Sequence, residues 1–88
     1  MNTRNALRVR KFMSKKRIAR VELLIIEVGI IAEQLEANLI SMETAQEKTT
    51  SLFKEAIQGG LIAPSNVEEI MSVDRETIEY LRNKHYQK

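Results

Sequence analysis

Along residues 21–40 the apolar residues Val21, Leu24, Ile25, Val28, Ile31, Ala32, Leu35 and Leu39 recur every three or four positions. At about 3.6 residues per turn this spacing draws one continuous stripe, and it predicts a helix over the whole segment. The opposite side of that helix is apolar as well. Leu23, Ile26, Ile30 and Ala37 form a second strip, bounded by Glu22, Glu33 and Glu36 on one edge and by Glu27, Gln34 and Asn38 on the other. A helix with two apolar faces needs two neighbours. The second strip is therefore read as a seam for a second copy of the chain or for a partner protein, the alternative being the centre of a monomeric bundle, with Gly29, on the boundary between the faces, permitting close helix approach.

Past Ser41 the pattern restarts. Thr44 and Glu47 have the spacing of a capping box, in which each side chain satisfies a backbone N–H at the start of a helix, and Ser41 can cap the same helix one turn earlier. Met42, Ala45, Thr49, Leu52, Phe53, Ala56 and Ile57 then make the inward stripe of a helix over 42–58, closed by Gly59 and Gly60, which supply a residue free to take positive φ. Leu61, Ile62 and Ala63 lead into Pro64, after which Ser65 and Glu68 repeat the capping-box spacing ahead of a short helix over 66–72 that carries Val67, Ile70 and Met71. Asp74 suits an N-cap, Val73 and Ile78 are placed as a hydrophobic staple, and a last helix is predicted over 75–85. Its final turn holds Arg82, Lys84 and His85, cations suited to the negative end of the helix dipole; His85, near the chain end, reads as a solvated terminus. One continuous helix over 65–85, kinked near Ser72, is the alternative.

Residues 1–20 lack such a stripe and differ in charge. Eight of the fourteen bases lie there, Arg4, Arg8, Arg10, Lys11, Lys15, Lys16, Arg17 and Arg20, while all twelve acids follow from Glu22 onward. The first twenty residues therefore carry about +8 and the remainder about −6, a division hidden inside a formal net charge of +2. Ser14 can cap a helix here, but Lys15, Lys16 and Arg17 would then face the positive end of its dipole, at a cost on the order of a few tenths of a kcal/mol each. A helix continuing back to about Thr3 avoids that cost and lines Arg4, Arg8, Lys11 and Lys15 along one face. The alternation Leu7, Arg8, Val9, Arg10 suits a short strand or a loose arm instead.

Like charges packed this closely repel unless something negative neutralises them. Nucleic-acid phosphates or an acidic protein surface, the body of this chain or of a neighbouring subunit included, fit that need; the alternative is an inert, solvated tail. An anionic membrane fits less well, because the apolar residues of the segment scatter around the helix and offer lipid no face. Phe12 is its one aromatic residue, so stacking on successive bases, and with it sequence-specific single-strand recognition, is not expected.

The run VEEIMSVDRETIEYLR, residues 67–82, resembles the recognition part of a helix-turn-helix: a helix carrying an Ile, a turn, then a helix opening on a short polar residue. It departs from that pattern in two ways. The first helix is about three residues short and lacks the usual glycine turn, and the second exposes Asp74, Glu76 and Glu79, which would face phosphates with like charge. A capped structural helix is the better reading.

Composition removes other classes. The chain has no cysteine and one histidine, so disulfides and thiolate metal sites are out and a zinc site has almost nothing to use. The longest apolar run, Val21 to Ala32, is interrupted by Glu22 and Glu27 and is too short to span a bilayer. It resembles the apolar part of a signal peptide only loosely, and a cytoplasmic location is expected. No glycine-rich phosphate loop and no catalytic cluster is present, so the expectation is no enzyme, no catalytic residue, no metal and no cofactor.

The expected fold is all-α: a small helical bundle over 21–88 with a long central helix that dimerises through Leu23, Ile26, Ile30 and Ala37, and a basic N-terminal helical extension or arm over 1–20. The expected function is nucleic-acid binding or regulation through the eight bases. The alternative is an adaptor, inhibitor or assembly factor that binds a partner protein through an apolar helix face and the basic arm.

Overall fold

The computed structural model describes residues 14–86. Four α-helices occupy most of that span: α1 (Lys15–Glu36), α2 (Met42–Gln58), α3 (Val67–Met71) and α4 (Arg75–Tyr86), with a 3-10 turn at Pro64–Asn66 leading into α3. No strand occurs among the described residues, which agrees with an all-α fold.

The first helix is displaced from its expected span at both ends. Ser14 is extended and its hydroxyl accepts from the Arg17 N–H at 3.1 Å, so α1 starts at Lys15 and does not run back through Ser14 toward Thr3. The strand alternative at Leu7–Arg10 lies outside the described residues. At the other end α1 stops at Glu36, not near Ile40. Asn38 takes φ 60°, and the N–H groups of Asn38 and Leu39 turn back to the carbonyls of Leu35 and Gln34 at 3.1 and 2.9 Å. This is a Schellman stop, in which a residue in the left-handed region lets the chain satisfy the last carbonyls of the helix. Asparagine tolerates that conformation better than other non-glycine residues. The apolar spacing ran on to Leu39, but Leu39 leaves the helix and is largely exposed.

Ser41, rather than Thr44, caps α2: its hydroxyl accepts from the Thr44 N–H at 3.1 Å, and the Thr44–Glu47 spacing lies inside a helix already begun. Gly60, at φ 73°, closes α2 with the same Schellman pattern, the Leu61 N–H reaching the Ala56 carbonyl at 2.8 Å. Before α3, the Asn66 carboxamide accepts from the Ala63 N–H at 2.9 Å, so Asn66 and Pro64 organise the turn and not Ser65 with Glu68. Ser72 ends α3, its N–H bonded to Glu68 and Glu69 carbonyls, and Asp74 then caps α4 by accepting from the Thr77 N–H at 2.7 Å. Residues 65–85 are thus two helices with a break.

Each apolar face of α1 finds part of its cover within the chain. On one side Leu24 packs with Phe53 and Ala56 of α2 and Ile70 of α3, joined by Ile25, Val28, Leu52, Leu61, Ile62 and Val67. On the other, α4 lies broadly antiparallel to α1: Arg75 meets Glu36, Arg82 meets Glu33, and Lys84 and His85 meet Glu22. Beneath this strip Ile26 is wholly buried and Leu81 nearly so. Gly29 admits α4 closely, since a Cβ there would sit 2.9 Å from Ile78 Cγ2. The close approach expected at Gly29 is made by the chain's own last helix.

Candidate nucleic-acid interface

The basic segment enters the described structure at Ser14. Lys15, Lys16, Arg17 and Arg20 are all exposed, and none makes an ion pair among the described residues. Arg4, Arg8, Arg10 and Lys11 lie outside them. Because Ser14 caps the helix, three of these four cations occupy its first turn, where they oppose the positive end of the helix dipole.

Tertiary structure supplies part of the compensation. α2 runs back along α1, so the first turns of α1 lie beside the end of α2, and the Arg17 guanidinium donates to the Gly60 carbonyl. The last carbonyls of a helix carry its negative partial charge. Arg17 is thus held by a backbone carbonyl of the turn that closes α2, beside the negative end of that helix, while it is opposed by the dipole of α1. Lys16, Arg17 and Arg20 border a shallow cleft of about 390 Å³ with Ser14, Gly59, Gly60 and Leu61. Lys15 lies seven residues before Glu22, about two turns back along the same side of α1.

Glu22 is the acid nearest this end in sequence, and it is neutralised. Its side chain is 7% exposed, and its carboxylate accepts from Lys84 Nζ at 3.0 and 3.2 Å and from His85 Nε2 at 3.0 Å. Burial pushes the Glu22 carboxyl up, but the hydrogen bonds and positive charges of Lys84 and His85 outweigh it and hold the group below its ordinary value. His85 is therefore not a solvated terminus: its ring is 16% exposed. Sequence reasoning placed Glu22, Glu33 and Glu36 on one edge of α1 and Arg82, Lys84 and His85 at the end of α4. It did not join the two sets, though their opposite charge was the available signal.

The strip Leu23, Ile26, Ile30, Ala37 does not form one open seam. Ile26 is buried under α4, Leu23 and Ile30 are half-buried along the acidic edge of α1 near Glu27 and Glu55, and Ala37 is the exposed C-cap residue. On α4, Asp74, Glu76 and Glu79 are exposed, so the face turned to solvent is acidic. Among the described residues no group of His, Cys, Asp and Glu could hold a metal ion, and no helix is long and apolar enough to cross a membrane. The chain matches no protein-family model, no curated protein and no solved structure.

Proposed function

We propose that this chain is a small non-enzymatic nucleic-acid-binding or regulatory protein of the cytoplasm. Its basic N-terminal segment, Arg4, Arg8, Arg10, Lys11, Lys15, Lys16, Arg17 and Arg20, contacts phosphates. The observation that carries this reading is the first turn of α1. Lys15, Lys16 and Arg17 stand, exposed and without an ion-pair partner among the described residues, where acids would stabilise the helix. A local rule broken at a cost in stability points to a functional demand at that place. Phosphate meets both long cations and the positive end of a helix there. Such contacts are to the backbone of the nucleic acid and carry no base preference.

Fluorescence anisotropy with a labelled duplex and a labelled single strand tests the reading. For duplex, log affinity should fall with log salt at a slope of roughly −0.9 per phosphate contacted, so four to six contacts give a slope near −4 to −5. Binding to neither probe at about 50 mM salt, where such contacts are strong, sinks the proposal.

A second reading, a module that binds a partner protein, draws support from an open apolar groove of about 900 Å³ between α1, α2 and α3. It weakens if that groove proves occupied in the purified protein and the chain captures nothing from a lysate.

A further inference from the structure

The groove has two features that specify its occupant. Buried Ile31 and Phe53 line it together with Met42 and Met71, which are 59% and 60% exposed. Although 30% of the chain is charged, Lys54 is the one ionisable residue in the groove's lining. Depletion of charge around an apolar centre is the compositional mark of a protein interface core.

The second feature is the charge pattern along the outer edge of α2. Gln46 and Thr50 are exposed and Ile57 half-buried, and they follow one another at spacings of four and seven, so they share a face. Glu43 and Lys54 lie along one edge of that face. They lie eleven residues apart, close to three full turns at about 3.6 residues per turn. Both are exposed, and neither forms an ion pair among the described residues. Opposite charges three turns apart on one helix are matched by the same helix laid antiparallel.

We propose that a second copy of this chain covers the groove. Its α2 packs antiparallel on α2 along Gln46, Thr50 and Ile57, and Glu43 of each copy stands beside Lys54 of the other. The contact is isologous: one surface meets itself about a two-fold axis, and each charge pair occurs twice. This face of α1 and α2 differs from the Leu23, Ile26, Ile30 strip, which α4 covers in part. Because the first turn of α1 rests on the Gly60 end of α2, an antiparallel pair sets the two basic ends at opposite ends of the assembly.

Sedimentation equilibrium on the full chain, from low micromolar to near-millimolar concentration, is the test. The expected mass is twice the 10.1 kDa of one chain. Thr50→Glu, at an exposed position, should shift the protein to monomer with its helical circular dichroism unchanged. Glu43→Lys should weaken dimerisation on the order of tenfold by placing like charges together, and the double variant Glu43→Lys, Lys54→Glu should restore it. A chain that stays monomeric throughout overturns the proposal and leaves the groove to another protein. A dimer insensitive to Thr50→Glu, or one that the charge swap fails to restore, overturns it as well. Salt-dependent binding of duplex by monomeric Thr50→Glu would show that phosphate contact stands independently.

Discussion

Glu22 and His85, sixty-three positions apart, meet at 3.0 Å with the carboxylate almost wholly buried. An ionised carboxylate only accepts hydrogen bonds, so Nε2 of His85 carries the proton that joins them. With Lys84 this contact fastens the end of α4 to the first half of α1.

Glu22→Ala should lower unfolding free energy by about 1.5 to 3 kcal/mol in urea titration, the range for hydrogen bonds to a charged group, with Glu22→Gln losing less. The pH dependence has a definite sign. The folded carboxyl lies below its ordinary value, so its contribution is complete above that value and disappears as pH falls through the folded one. Melting curves should show wild type losing more stability than Glu22→Gln on acidification below about pH 4.5.

Gly29→Ala should destabilise despite the better helix propensity of alanine. The new Cβ would lie 2.9 Å from Ile78 Cγ2 and 3.1 Å from Cδ1, and overpacking of this kind costs about 1 to 3 kcal/mol. In an Ile78→Ala background the same substitution should become neutral or stabilise by up to about 1 kcal/mol. A double-mutant cycle by chemical denaturation reads the coupling, and additivity would rule out the close approach.

Arg75 and Glu36 pair at 2.7 Å, but their side chains are 72% and 67% exposed. Arg75→Ala should therefore change stability by no more than about 0.5 kcal/mol, while Leu81→Ala, which empties a buried site under α4, should cost about 2 to 4 kcal/mol. Comparable losses for the two would mean that ion pairs, and not apolar packing, hold α4.

Asn38→Ala should cost about 1 kcal/mol, because alanine resists the left-handed conformation that stops α1, whereas Asn38→Gly should be close to neutral. Equal melting temperatures for Asn38→Ala and wild type would argue against this helix stop.

Lys15→Glu should stabilise the protein by about 0.3 to 1 kcal/mol, since an acid suits the first turn of α1, and should weaken duplex binding at low salt. A gain in stability with unchanged binding would remove Lys15 from the phosphate contacts.

Much of the helical content was legible in sequence because it depends on near neighbours. The spacing of Met42, Ala45, Phe53 and Ile57, the glycine pair after Gln58 and the cap at Asp74 marked α2 and the start of α4, since periodicity and capping act within a turn or two. The stop at Asn38 was not legible. Apolar spacing continued to Leu39, and only the backbone conformation of Asn38 ended the helix. Of the basic cluster, sequence located the charges and left a start capped by Ser14 beside a helix running back to Thr3, and it did not show that Gly60 would receive Arg17.

By itself, then, the sequence determined that the chain is helical, that its bases and acids divide near Arg20, and that the first long helix has two faces to cover. Tertiary structure decided what covers them. Ile26 is buried on the side of α1 that meets α4, where Leu81 is buried as well, Gly29 leaves room for Ile78, and Glu22 finds Lys84 and His85. The cations at the start of α1 came to rest against the end of α2. These outcomes join residues about forty or more positions apart, and no local propensity records such a meeting; it follows from which surfaces fit in shape and charge once the helices have formed.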